Sequence, residues 1–397
     1  MTENNKEKIA ELLTRGVEKI YPTKEVLDLQ LNSDKKLRIY YGIDPTGKLH
    51  LGHAVQLIKL RQFQNLGHEI IVLFGDFTAR IGDPTDKTAT RRKLSKEQVE
   101  ANSENYKSII GKILEIEKSN FRFVSNNDWT DKLTPEDLLE LASNFTVSQL
   151  LERDMFQERI KSGKEIYLHE FLYPIFQAND AVVLDVDMQI GGNDQTFNML
   201  AGRTLMKKLK NKEKFVLTTK MLVDNSGKKM GKTDGNIIPL DAEPNEIFGA
   251  VMSWPDELIL VAFELLTDLP MEEIEKIRID MPEKLNPRDA KIQLAKKIVK
   301  LFYGENEAQE AEKYFVDTFS KGEIPTDIEE VKLETGQSLM QKLVAKNIVS
   351  SGTEWRRLVE AGAVKTSAGV KVDDINFSPT ETTVLKIGRK TFVKIVL

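Results

Sequence analysis

The sequence predicts an α/β protein: a parallel, doubly wound sheet carrying a helical insertion, followed by an all-helical segment and a small basic α+β module. Three observations lead there. Residues 37–75 run as a short apolar stretch, a helical pattern and a second apolar stretch, which is the signature of a βαβ unit. Strand-like runs return at 182–190 and 215–219, after a long region of helical periodicity. From Pro244 onward only helix-like segments occur until a polar, acidic stretch, beyond which the charge changes sign.

The chain has 397 residues, enough for two or three domains. Hydrophobic residues make up 40% and charged residues 30%, as in globular proteins with a buried core. There are no cysteines, so disulfides and thiolate metal sites are excluded, in keeping with a cytoplasmic location. Four histidines in 397 residues argue against a multi-histidine metal site, and no metal ligand set stands out. No apolar run approaches the roughly 20 residues of a membrane span, and the N-terminal residues lack a signal-peptide core. The net charge is −5, yet residues 338–397 hold ten Lys/Arg against five Asp/Glu. A basic module on an acidic body points to a localised contact with a polyanion.

Residues 6–20 read as an amphipathic helix with Ile9, Leu12, Leu13 and Val17 on its apolar stripe, ended by Tyr21-Pro22. Residues 37–41 read as a buried strand and 54–66 as a helix closed by Gly67. Residues 69–75 are almost continuously apolar, which suits a parallel strand covered on both faces. The loop 76–87 leaves the end of that strand, where doubly wound sheets bind ligands. Residues 95–160 read as mostly helical, with Thr134-Pro135 as one helix start. A helix over 168–180, a strand over 182–190, a helix over 195–209 and a last strand over 215–219 complete the sheet. Helical segments over 244–319 are punctuated by Pro255, Pro270, Pro282 and Pro287. Residues 321–336 read as a linker. Helices over 338–346 and 353–360 and short β-like runs at 370–372 and 392–395 make up the C-terminal piece.

Three constellations carry chemistry. The stretch from Tyr40 to His53 puts Gly, Pro and Thr between a strand and a helix start, with His50 and His53 on one face of the first turn. Free N–H groups and the helix dipole there favour a phosphate, and the imidazoles can donate to its oxygens. An ordinary turn with two surface histidines satisfies the same pattern. The loop with Lys228-Lys229-Met230-Gly231-Lys232-Thr233 between glycines can close over a polyphosphate, or be a solvated basic hairpin tip. Tyr173, Gln177 and Asp180 share one helix face among Phe171, Leu172, Ile175 and Phe176, and Gln189, Asp194 and Gln195 follow at a strand end. Polar groups in such a setting need partners, and a ligand can supply them.

Read together, the 40–53 stretch, Gly82-Asp83-Pro84, the Tyr173/Gln177/Asp180 face, Gly191-Gly192-Asn193-Asp194-Gln195 and Lys229-Met230-Gly231-Lys232-Thr233 resemble the bacterial tyrosyl-tRNA synthetases, a class I aminoacyl-tRNA synthetase family. The resemblance runs in order along nearly the whole chain. It implies a Rossmann-like catalytic domain at 1–223 with an insertion at about 95–160. A signature loop and α-helical anticodon-binding domain at 224–322, a linker at 323–336 and an S-four-like RNA-binding domain at 337–397 follow. It implies a cytoplasmic tyrosine–tRNA ligase working as a homodimer. The partners would be ATP, L-tyrosine and tRNA(Tyr), with Mg²⁺ carried mainly by the ATP phosphates and no permanent cofactor.

The same resemblance implies the site roles. His50, His53 and Thr46 would meet ATP phosphates and ribose, with Gly42, Gly192 and Asp194 on the nucleotide side. Lys229, Met230, Lys232 and Thr233 would hold the departing pyrophosphate, helped by Lys87 and Arg91. Asp83, Tyr173, Gln177 and Gln195 would take the ammonium and carboxylate of the amino acid. Tyr40 and Asp180 would test for the phenol hydroxyl, with Asp44 and Gln189 lining the pocket. Arg356, Arg357 and Lys365 would touch RNA. The sequence departs from the family pattern at Gly231, at Asp86 beside Lys87, at Asn179 and at Tyr41. Competing readings are a tryptophan-specific synthetase, a tRNA-binding paralogue without catalysis, and a nucleotidyltransferase with a small acceptor.

Overall fold

The computed structural model describes residues 3–83, 96–223, 238–281, 283–319, 328–333, 337–366, 369–388 and 391–397. The chain divides into two compact units, Met1–Ala308 and Gln309–Leu397.

The first unit is built on a six-stranded sheet in the order β1-β6-β5-β2-β3-β4. Its strands are β1 (Val17–Tyr21), β2 (Arg38–Ile43), β3 (Glu69–Phe74), β4 (Phe121–Ser125), β5 (Met188–Gly192) and β6 (Phe215–Thr219). Neighbours are parallel except β1, which runs antiparallel to β6. The chain builds outward through β3 and β4 on one side of β2 and through β5 and β6 on the other. The β2/β5 boundary is therefore the switch point, where the carboxyl ends of the strands leave a crevice for a ligand. Ile39, Tyr40, Ile70, Ile71, Val72 and Val216 are fully buried, as parallel strands covered on both faces require.

Helices α1 (Glu3–Leu12) and α2 (Lys24–Leu31) precede β2, and α3 (Leu51–Asn65) joins β2 to β3. The insertion side carries α4 (Thr78–Ile81), α5 (Lys96–Ile110), α6 (Asn127–Thr130), α7 (Pro135–Ala142), α8 (Val147–Leu151) and α9 (Asp154–Lys161). Helices α10 (Leu172–Leu184) and α11 (Thr196–Lys210) flank β5. After β6 come α12 (Pro244–Met252), α13 (Leu258–Leu266), α14 (Met271–Asp280), α15 (Pro287–Tyr303) and α16 (Glu305–Phe319).

Several elements differ from expectation. The 6–20 helix stops at Leu12 because Gly16 takes φ +63°, and Val17 opens β1, drawn into the sheet by β6. The 95–160 insertion is not purely helical: β4 extends the sheet from β3. Val182 lies in α10, not in a strand. That helix runs to Leu184, where Asp185 turns left-handed at φ 46°. Residues 168–171 form a 3₁₀ turn ahead of α10.

The second unit holds a four-stranded sheet, β7 (Glu329–Lys332), β10 (Thr391–Val396), β9 (Thr383–Ile387) and β8 (Val364–Thr366), with α17 (Leu339–Ala345) and α18 (Gly352–Glu360). Part of the predicted linker is thus β7, which pairs parallel with β10 and buries Val331. Residues 370–372 contribute only a bridge from Lys371 to Lys365. Trp355, fully buried, donates its indole N–H to the carbonyl of Ile375 at 2.9 Å. Buried Leu343, Val393 and Ile395 belong to the same apolar cluster.

Candidate functional site

The loop after β2 sets one wall. Its backbone is held from the side by α5: Asn102 donates to the carbonyl of Pro45 at 2.8 Å and Tyr106 to that of Gly47 at 2.6 Å. Thr46 sits half-buried in it. His50 is the N-cap of α3, and its Nδ1 accepts from the Gly52 N–H at 3.1 Å. His53 Nδ1 accepts from the His50 N–H at 3.2 Å, and the two rings lie 3.9 Å apart. An imidazole nitrogen that accepts carries no proton, so each neutral ring keeps its N–H on Nε2, a donor at the positive end of the helix dipole. The pair is therefore both cap and donor, beyond the shared face the sequence shows.

The floor is a buried hydroxyl–carboxyl pair. Tyr40 on β2 is fully buried; its hydroxyl makes no hydrogen bond of ordinary length among the described residues, and the Gln189 side chain is the amide that acts on it. Asp180 on α10 is 1% exposed. Its carboxylate accepts from Trp129 Nε1 at 2.8 Å and from Asn126 Nδ2 at 3.4 Å. Burial pushes the Asp180 carboxyl up to about 8 against those two donors, and the Asp44 carboxylate pushes the same way. Burial, then Asp180, raises the Tyr40 hydroxyl well above its ordinary value, so it stays protonated. Next to Tyr40 in register is Gln189 of β5, which accepts from the buried ammonium of Lys214.

A second polar group lies at the carboxyl ends of β2 and β3. Asp44 accepts from Thr78 Oγ1 at 2.7 Å and from the Tyr173 hydroxyl at 3.0 Å. Gly75 makes this possible: a Cβ there would stand 2.0 Å from Asp44 Oδ1. Asp83 accepts from Gln195 Nε2 at 2.6 Å and faces Arg153 Nη2 at 3.5 Å. The Arg153 side chain is 3% exposed, set against the rings of Phe156 and Phe197. Gln177 Oε1 is buried without a partner among the described residues. Gln195 Oε1 accepts in turn from Asn198 at 2.9 Å. Two carboxylates, a tyrosine hydroxyl and an amide oxygen suit a ligand ammonium group.

Beyond β5, Gly192 leads directly into Asp194. A Cβ on Gly192 would meet Asp194 Oδ1 at 2.6 Å, so the glycine lets that carboxylate fold back over the strand end. Gly42 on β2 is half-buried with only ordinary contacts around it, so a Cβ would fit. Gln56 of α3 bonds Thr219 Oγ1 at 2.8 Å beneath Gly192.

Lys87 and Arg91, and Lys229, Met230, Lys232 and Thr233, lie outside the described residues. The chain that follows the second group is anchored at the histidine turn. Leu51 donates to the Ile238 carbonyl at 3.1 Å, Leu240 donates to that of Leu49 at 2.8 Å, and His50 bridges Pro239. In the second unit Arg356, Arg357 and Lys365 are all exposed.

Sequence reasoning missed Trp129, Asn126, Thr78, Arg153 and Lys214. Asn126 and Trp129 follow β4, and that strand lay inside a region read as helical. Nothing local marks Arg153 or Lys214 as buried, since arginine and lysine are mostly exposed. Among the described residues no group of three or more His, Asp or Glu is placed to hold a metal ion, and no helix is long and apolar enough to cross a membrane.

The family model for class I tRNA synthetases (W and Y) matches residues 32–320. The tyrosine–tRNA ligase of Carboxydothermus hydrogenoformans is 43% identical over 401 residues, with 97% of each chain covered. That of Thermotoga maritima is 41% identical over 394 residues, covering 98% of this chain and 97% of its own. A C-terminally truncated mitochondrial tyrosyl-tRNA synthetase from Aspergillus nidulans shares the fold with a TM-score of 0.66 at 24% identity, over 79% of this chain and 94% of that one. A tyrosyl-tRNA synthetase from Archaeoglobus fulgidus, crystallised with L-tyrosine, gives 0.60 at 24% identity, over 77% and 99%.

Proposed function

The chain belongs to the class I tRNA synthetases of the tryptophan and tyrosine branch and is a tyrosine–tRNA ligase, and from that premise we propose how its residues divide the work. The observation that carries the assignment of the pocket is the unpartnered, fully buried Tyr40 hydroxyl beside the buried Asp180 carboxyl. A phenol oxygen accepts from Tyr40 and donates to Asp180. An indole N–H only donates, and would leave Tyr40 unsatisfied. A phenylalanine ring would leave both unsatisfied, which is how a site built around a hydroxyl rejects its absence; tyrosyl-tRNA synthetases are themselves the standard illustration of this rule.

In this reading Asp44, Asp83, Tyr173 and Gln177 hold the substrate ammonium and Gln195 its carboxylate. Gly42, Gly192 and Asp194 seat the ribose, with the Nε2–H groups of His50 and His53 and the Thr46 side chain on the phosphates. The tyrosine carboxylate oxygen attacks the α-phosphorus of ATP in line. The new O–P bond replaces the α–β anhydride bond, and pyrophosphate leaves, its charge met by Lys229, Met230, Lys232 and Thr233 and by Lys87 and Arg91. The 3′-terminal ribose of tRNA(Tyr) then takes the tyrosyl group and AMP departs. Positioning and charge stabilisation carry both steps without a protein nucleophile. Mg²⁺ rides on the ATP phosphates. Ile238–Leu240, the stretch that follows the lysine-bearing residues in sequence, is anchored beside His50, which supports a role for both in one site.

The proposal extends to a cytoplasmic homodimer joined through the insertion, to anticodon contacts by the helices after residue 244, and to an S-four-like RNA-binding role for residues 337–397. The exposed Arg356, Arg357 and Lys365 on a locally basic module support that last part. The test is ATP–pyrophosphate exchange with tyrosine, phenylalanine or tryptophan. Exchange with tyrosine alone is expected, and exchange driven by tryptophan, or by none of the three, would overturn the reading.

A further inference from the structure

Lys214 is a fully buried lysine for which the reaction has no evident use. It stands just before β6, and its Nζ donates to Gln189 Oε1 and, at 3.0 Å, to the carbonyl of Met199. Nζ also lies 5.6 Å from the centre of the Tyr40 ring. Burying an ammonium group among neutral oxygens is unfavourable, and burial depresses its pKa well below the ordinary lysine value. The fold nevertheless makes room for it. Gly202 on α11 faces it without a side chain, and a Cβ there would come within 2.6 Å of Nζ.

The effect of this lysine on Gln189 follows from donor and acceptor rules. An ammonium group donates three times and accepts never. A glutamine amide has one acceptor end and one donor end, and either can face a given neighbour until something decides. Lys214 decides: its Nζ donates to Oε1, which fixes that end of the amide toward the lysine. The remaining end of Gln189, the NH₂, is left toward the Tyr40 hydroxyl, its register partner across β2 and β5, whose pKa the Gln189 side chain lowers against burial. A hydroxyl that faces a donor accepts there and must send its own proton elsewhere. The Tyr40 hydroxyl has no partner among the described residues for that proton.

Resting on the tyrosine-ligase reading, we propose that Lys214 is a positioning residue for amino-acid selection: it orients Gln189 so that the Tyr40 hydroxyl is committed to donate to the ring oxygen of the bound amino acid. The chain of donors then runs one way, from Lys214 to Gln189 to Tyr40 to the substrate oxygen, and the substrate O–H donates to Asp180. Without Lys214 the amide is free to turn its oxygen to Tyr40 and take that proton. Tyrosine then loses a donor, whereas phenylalanine, which has no oxygen to receive one, loses nothing.

The experiment is exchange kinetics on the full chain with tyrosine and with phenylalanine, for Lys214→Met, Tyr40→Phe and the double variant. Lys214→Met is expected to lower kcat/KM for tyrosine about 3- to 10-fold, the range of one neutral hydrogen bond, and to leave that for phenylalanine within about twofold. In the Tyr40→Phe background the same change should no longer alter the tyrosine/phenylalanine ratio. A parallel fall for both amino acids, or an effect on the ratio that persists without the Tyr40 hydroxyl, would overturn the proposal. Gln189→Glu provides a second route, because its carboxylate pairs with Lys214 and offers only acceptors to Tyr40. It should lower the ratio, and an unchanged ratio counts against the directed chain. Absence of tyrosine-dependent exchange in the unaltered chain would sink the ligase reading itself, and the proposal with it.

Discussion

Replacing Asp180 with asparagine should stabilise the protein while removing its choice of amino acid. The carboxyl is 1% exposed and titrates near 8 in the folded chain against an ordinary value of 3.8. Below about pH 4 it is neutral in both folded and unfolded chains, so it has no effect on stability. Between about 4 and 8 the unfolded chain ionises while the folded one keeps its proton, and stability falls as pH rises. Above 8 the penalty is constant. At about 1.4 kcal/mol per pH unit, a separation of about four units amounts to on the order of 5 kcal/mol. Asparagine lacks this penalty and its Oδ1 can still accept from Trp129. Its NH₂ would face Asn126 Nδ2, now 3.4 Å from the carboxylate, and that donor–donor contact costs about 1–2 kcal/mol. A net gain of a few kcal/mol remains at pH 8 and above. Calorimetric scans at pH 5, 7, 9 and 10 should show a gap in Tm between Asp180→Asn and the parent that widens from pH 5 to about 8 and is then level. Exchange assays on the same samples should show tyrosine losing its advantage over phenylalanine. A gap independent of pH, or a variant less stable than the parent at pH 9, would refute the argument that desolvation dominates at Asp180.

The same carboxyl should set a pH dependence of substrate binding. KM for tyrosine is expected to fall several-fold between pH 7 and 8.5 as Asp180 ionises and becomes a stronger acceptor for the phenol O–H, while KM for phenylalanine shows no such fall. Gly75→Ala puts a Cβ 2.0 Å from Asp44 Oδ1 and 2.4 Å from Thr78 Oγ1. It should cost about 1–3 kcal/mol of stability and raise KM for tyrosine in exchange kinetics, with KM for ATP less affected. Truncation after residue 319 removes β7 to β10 with α17 and α18. It should leave tyrosine-dependent exchange within about twofold and depress tRNA charging far more, and equal loss of both would refute the modular assignment.

Much of this was legible in the chain because it rests on local rules. The strand at 215–219 and the first βαβ unit announce themselves through continuous apolar runs and a glycine-closed helix, and all are present. The turn from Tyr40 to His53 was readable as a helix N-terminus, although the capping role of the imidazoles, each Nδ1 spent on a backbone N–H, is visible only in the fold. Errors fell where local and long-range preferences compete. Val182 is β-branched and apolar yet belongs to a helix, because α10 packs on α11 and ends only at Asp185. Residues 17–21 continue a helical pattern but pair with β6, a partner nearly 200 positions away.

By itself, then, the sequence determined the sheet-building runs, the strand–turn–helix that carries His50 and His53, and the polar face of Tyr173, Gln177 and Asp180, since each depends on residues within a few turns of one another. Tertiary structure alone decided which charges are buried. Lys214, Arg153 and Asp180 are drawn from water by segments remote in the chain. The same packing places Trp129 on Asp180 at 2.8 Å and Lys214 on Gln189. Desolvation and hydrogen-bond direction are properties of surroundings, and surroundings are assembled only when β2 and β5, more than 140 residues apart, lie side by side.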